Sequence, residues 1–251
     1  MGGLRELLNK AKLFLQEGDL VKAGEHFKEA IELDPVCIEA HKGLGRCYYK
    51  GLVNVEKAFT KGLKRGVVHL SLDWIEKIEP IRENAKSSLE KAVELGDNDE
   101  KLFLELADLY WTHFNKASQA EKYWSKALSI DPNSAEAHFC LGRLFSLRKK
   151  WKEAVKHLSK AIQLNDKNPE YFFELGQALY KKGNRAESVR YYEAAVNLNP
   201  VYKDAVFNLG TVFFDLGKRK KALEVWRKFI ELEPVSDDTY RLKTQFPELI
   251  D

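Results

Sequence analysis

A 34-residue period runs through the second half of the chain: Leu141-Gly142, Leu175-Gly176 and Leu209-Gly210 recur at that spacing. Ala127, Ala161 and Ala195 keep it, with Phe229 next in phase, and so do Trp124, Leu158, Tyr192 and Trp226. Ile130-Asp131-Pro132, Leu198-Asn199-Pro200 and Leu232-Glu233-Pro234 close units in one phase, with Asp166 in the place of proline in another unit. Several independent columns at one spacing predict stacked supersecondary units that share a core with their neighbours.

Each column has a mechanical reading. Apolar residues recur at helical spacing in two segments per unit, as in Phe172, Leu175, Gly176 and Leu179, then Ser188, Tyr192 and Ala195. The small residue, Gly142 or Gly176, lets two helices approach. The large one, Tyr192 or Trp226, fills the groove between them. Lys182-Gly183-Asn184 and Leu216-Gly217-Lys218 supply the turn, and the closing proline ends the second helix. A chain of 251 residues is long for one globular core and shows no dividing linker, which a repeat array accommodates.

These residues resemble the tetratricopeptide repeat family, over about residues 4–37 and 100–236. The first unit reads Leu7, Ala11, Phe14, Ala23, Phe27, Ala30 and Pro35. The unit that starts near Phe103 carries Leu106, Ala107, Tyr110, Ala120, Trp124, Ala127 and Pro132, with one extra residue near Asn115. The resemblance implies an all-α, right-handed superhelical solenoid of antiparallel helix pairs spanning 4–236, followed by a capping helix and tail at 237–251. In the tail, Ser236 and Asp237 are cap residues, and Tyr240, Leu242 and Phe246 are expected to cover the last unit.

Residues 38–99 depart from the pattern. A first helix is marked by His41, Leu44, Gly45 and Tyr48, and a second, much later, by Ala85, Leu89 and Ala92. Val55–Lys64 and Leu70–Ile78 are helical in pattern, and Gly62, Gly66 and Pro80 mark bends. From Pro35 to Asp97 the chain runs 62 residues, six short of two periods. This favours two shortened, degenerate units, about seven in all, over one unit with an inserted helical hairpin.

Chemistry-bearing constellations are absent from the pattern. His26, His41, His69, His113, His138 and His157 are scattered, and His41 and His138 fall on first core positions of leading helices. No phosphate-binding glycine loop, HExxH, CxxC or EF-hand loop occurs, so no enzyme, metal or cofactor is expected. Cys37, Cys47 and Cys140 lie inside apolar helical patterns and read as reduced thiols. Without a leader-like start or a membrane-span-length apolar run, a cytoplasmic monomer or weak homo-oligomer is the expectation. The net charge of +3 gives no global attraction for nucleic acid.

The resemblance also implies where a ligand sits: on the concave face formed by the leading helices. The residue after each first core position is then Leu104, Phe139, Phe173 or Phe207. Seven residues on stand Trp111, Ser146, Tyr180 and Phe214, with Asp108, Arg143, Gln177 and Thr211 between. A trough rich in aromatics suits an apolar or amphipathic peptide or helix. The opposing possibility is that neighbouring helices bury these rings. The family's carboxylate clamp for acidic chaperone tails is not matched at Phe173 and Gln177, and Asn208 stands alone where an asparagine ladder would need several.

A second candidate surface lies in the turns between paired helices. They read Arg148-Lys149-Lys150, Lys181-Lys182 with Arg185, and Lys218-Arg219-Lys220-Lys221. Such a basic ridge would suit RNA, anionic lipid headgroups or an acidic protein. The ordinary explanation is solvated turns, with cations favoured at helix C-termini. Exposed aromatics are not expected to interleave with these charges, which weakens a nucleic-acid reading.

Overall fold

The computed structural model describes the backbone of residues 2–64 and 72–250, with side chains described for all of these except 59–64 and 72–77. It is all-α among the described residues and divides into two compact units, Met1–Asp131 and Pro132–Asp251.

The first unit holds α1 (Gly2–Glu17), α2 (Leu20–Leu33), α3 (Ile38–Lys64), α4 (Leu72–Glu94), α5 (Glu100–Asp108) and α6 (Ala117–Ile130). Gly18, at φ 86°, makes the turn between α1 and α2, and the Asp19 carboxylate caps α2 by accepting from the Lys22 N–H at 3.1 Å. Ala11, Ala23, Phe27, Ala30, Ala40, Leu44 and Cys47 form the core of α1–α3. Burial pushes the Cys47 thiol up to about 11, so it stays protonated and packs as an apolar group.

The span 38–99 differs from the two shortened units the sequence favours: its described residues form only α3 and α4, both lengthened. Val55–Lys64 continues α3, and α4 runs through Pro80. Gly62 lies inside α3, while Gly66 and Leu70 lie outside the described residues. The described helices thus make six pairs. The extra residue near Asn115 is absorbed by a π-turn, Leu109–His113, followed by Asn115 at φ 49°.

The second unit holds α7 (Ala135–Leu147), α8 (Trp151–Leu164), α9 (Pro169–Lys182), α10 (Arg185–Leu198), α11 (Lys203–Asp215), α12 (Arg219–Leu232) and α13 (Asp237–Gln245), with a 3-10 turn at Pro247–Leu249. The small-large columns meet as their sizes require. An added Cβ on Gly142 would lie 2.6 Å from Leu158 Cγ, and one on Gly176 3.1 Å from the Tyr192 ring. Gly210 faces Trp226 in the same way. The glycines are therefore sites of close helix approach. Ser236 caps α13, accepting from the Thr239 N–H at 3.1 Å. Leu242, Phe246 and Leu249 bury against Trp226 and Phe229, closing the last pair, whereas Tyr240 is 75% exposed and takes no part in the cover.

Candidate functional site

In the first unit, the leading-helix face is closed by charge. Lys42, Arg46 and Tyr49 lie one above another on α3. Arg46 gives Nε to both oxygens of Glu105 (3.0 and 2.8 Å) and NH2 to Asp99 (3.1 Å). Lys42 pairs with Asp97 at 2.8 Å, and the Tyr49 hydroxyl donates to Asp108 at 2.7 Å. Burial pushes the Glu105 carboxyl up, and the adjacent Arg46 charge pulls it back. The positive charges of Lys42 and Arg46 are thus engaged within the chain. Leu104 is half-buried, and Trp111 packs on Trp124 with ring centroids 5.7 Å apart.

In the second unit the same columns divide into two stretches. Between α7 and α9, Phe139 is 7% exposed and lies 4.5 Å from the Tyr171 ring. Arg143 covers Phe139 at 5.5 Å and bridges to Glu174 (3.3 Å) and Glu170 (3.6 Å). Burial raises the Glu174 carboxyl, opposed by Arg143. Ser146 is half-buried. Phe173, 9% exposed, is held between Tyr192 (5.9 Å) and Tyr202 (5.0 Å). Phe139 is therefore packed under Tyr171, and Phe173 keeps only a small exposed part beside Tyr192 and Tyr202.

Between α9 and α11 the face stays open. A cavity of about 400 Å³ is lined by Phe173, Gln177, Phe207, Asn208 and Phe229, with Lys203, Asp204, Glu233, Ser236 and Asp238 also contributing. A smaller one of about 100 Å³ adjoins Gln177, Tyr180, Asn208 and Thr211. Phe207 packs on Phe229 at 5.1 Å, and its carbonyl accepts from Trp226 Nε1 (3.3 Å) and from the Thr211 hydroxyl (3.1 Å). Tyr180 donates to Asp215 at 2.6 Å, which holds its hydroxyl proton above the ordinary phenol range. Lys203 and Glu233 pair at 2.8 Å. Phe214 is 36% exposed and leans on Trp226 and Phe246, so the C-terminal cap reaches the end of this face.

Two other features escaped the sequence reading. A cleft of about 730 Å³ opens between α2, α3 and α4, lined by Lys28, Glu32, His41, Leu44, Lys86, Glu90 and Lys91 among others. Its floor histidine, His41, is held by the Pro35 carbonyl at 3.0 Å. His138 repeats that bond to Pro132 at 3.2 Å and also faces His157. The Pro-to-His interval of six residues, present twice, is the sequence signal for both. Among the described residues no group of three or more His, Cys, Asp or Glu is placed to hold a metal. No described helix is long and apolar enough to cross a membrane.

Comparison with known proteins gives consistent matches. Family models described as tetratricopeptide repeat match residues 8–63 and 173–236, and another of that description matches 123–156. One described as TPR repeat matches 142–183. Human IFIT1, named an antiviral innate immune response effector, is 31% identical over 144 residues, which is 56% of this chain and 28% of that protein's length. Among solved structures, pilF of Pseudomonas aeruginosa superposes with a TM-score of 0.69 at 16% identity, over 97% of this chain and 98% of that one. YrrB, described as a TPR protein with an unusual peptide-binding site, gives 0.65 at 21% identity, over 88% and 99%.

Proposed function

The chain belongs to the tetratricopeptide repeat family, and on that premise we propose that it is a protein-interaction scaffold whose α9–α11 face grips an apolar or amphipathic peptide. The observation that carries this is the 400 Å³ cavity with a floor of Phe173, Phe207 and Phe229 and the amides of Gln177 and Asn208 at its wall. Apolar floors with a few placed polar groups bind through side-chain anchors and orient through hydrogen bonds. Among the described residues the Gln177 side-chain amide has no hydrogen-bond partner, which leaves it for a ligand backbone. In the neighbouring α7–α9 stretch Arg143 lies over Phe139 and pairs with Glu170 and Glu174.

Panning a phage-displayed library of random peptides on the full chain, followed by fluorescence anisotropy with a labelled selected peptide, tests this. Gln177→Arg fills the cavity without removing a packed ring and is expected to weaken binding by about tenfold or more. Affinity should survive moderate salt, because the contact is apolar. Unchanged binding by both Gln177→Arg and Thr211→Arg would overturn the assignment.

A further inference from the structure

The basic turns of the second unit are not explained by helix dipoles. Cations are favoured at helix C-termini, which accounts for Lys181 and Lys182 in the last turn of α9. Lys150 instead occupies the N-cap of α8, with Lys152 in its first turn. Lys218 is the N-cap of α12, followed directly by Arg219, Lys220 and Lys221, and no acidic residue stands in that turn. At these positions the dipole of the helix that begins there disfavours cations, with Glu153 as the only acidic residue in the first turn of α8.

Lys149 adds a second cost. It adopts φ 57° at the position where the two sister turns place Gly183 and Gly217. A lysine there keeps a charge at the expense of the backbone.

The field that results is exposed and largely unpaired. Among the described residues, no carboxylate lies within ion-pair distance of Lys149, Lys150, Lys182, Lys218, Lys220 or Lys221. The arginines are engaged within the chain, Arg185 with Asp215 at 3.6 Å and Arg219 with Glu248, and Arg148 is not free either. What remains is mostly lysine, a point charge without the planar geometry that reads individual phosphates. The nearby rings are covered by the chain's own cations: Lys150 lies 5.9 Å from Phe145, Lys181 and Arg185 each 5.7 Å from Tyr180, and Lys221 5.6 Å from Phe213. On these rings the chain's own cations compete with stacking bases. Leu147, 68% exposed beside the first turn, is placed to enter an interfacial layer.

We propose that this lysine ridge docks the protein peripherally on an anionic lipid surface, a second interaction surface distinct from the α9–α11 trough. Juxtaposed lysines add roughly equal increments of attraction to such a surface and need no fixed geometry. The test is sedimentation of the full chain with phosphatidylcholine vesicles carrying about 30% phosphatidylserine, against phosphatidylcholine alone. Binding to the anionic vesicles only, lost between about 0.1 and 0.5 M salt, is expected. Lys220→Glu with Lys221→Glu should weaken it about tenfold or more while raising the Tm, since acidic residues suit the first turn of α12. A rise in Tm separates lost docking from lost folding. Equal sedimentation of the variant, or no sedimentation of the parent chain, overturns the proposal; so does binding to single-stranded RNA in place of vesicles.

Discussion

His138 and His157 face each other through their Nδ1 atoms at 3.0 Å, one from each helix of the α7–α8 pair. His138 Nε2 lies 3.2 Å from the Pro132 carbonyl, which can only accept, so this nitrogen carries the proton. In the neutral ring Nδ1 is then bare and accepts from His157 Nδ1–H. Protonating His138 puts two donors face to face, whereas protonating His157 keeps this bond and places a charge on a half-buried ring.

That pairing makes stability depend on pH. Burial, then the His138 and Lys156 charges, lower the His157 pKa from 6.5 to about 4. Burial, with Lys160 and Lys156, lowers His138 as well, against the Pro132 carbonyl. Between these values the unfolded chain binds protons that the folded chain refuses, so stability is full above pH 6.5 and falls as pH drops towards 4. Melting temperatures across that window should drop more steeply in the parent chain than in His157→Leu, whose carboxylates titrate identically. Parallel curves would refute the coupling.

Arg46 should be costly to remove. Its side chain is 21% exposed and its partner Glu105 11%. Arg46→Met leaves Glu105 buried without a counter-charge, an expected loss of about 2 kcal/mol in urea unfolding. Arg46→Met combined with Glu105→Leu should recover most of it, because an apolar pair replaces the ionic one without an orphan. If the double variant is no more stable than the single, the loss comes from something other than the stranded carboxylate.

Alanine substitutions at two helical glycines should have opposite signs. At Gly142 the new Cβ meets Leu158 Cγ at 2.6 Å and its backbone N at 3.2 Å, so Gly142→Ala should cost about 1–3 kcal/mol. At Gly51, inside α3, nothing lies within 4 Å, and Gly51→Ala should gain up to about 1 kcal/mol. Lys149→Gly should gain roughly 0.5–1 kcal/mol by releasing the left-handed backbone. Denaturant midpoints of the three variants, measured side by side, check the order.

The periodic columns carried most of the architecture, because each column is set by local size: Gly142, Gly176 and Gly210 had to meet Leu158, Tyr192 and Trp226. The irregular span was harder to read. Apolar spacing marks Val55–Lys64 as helical but does not say whether it starts a new rod or continues α3. The trough columns were equally visible, yet the exposure of Phe139 and Phe173 depends on Tyr171 and Tyr202, whose placement is tertiary. The ridge was visible as composition. Its conflict with the α8 and α12 dipoles needed the helix boundaries, which place Lys150 and Lys218 at N-caps.

Amide chemical-shift mapping of the labelled chain with a selected peptide tests the central claim most directly. Perturbations concentrated at Gln177, Tyr180, Asn208 and Thr211 on α9 and α11 are expected, with α8 and α10 little changed. Perturbations confined to the α2–α4 cleft, or spread over the trailing helices, would contradict it.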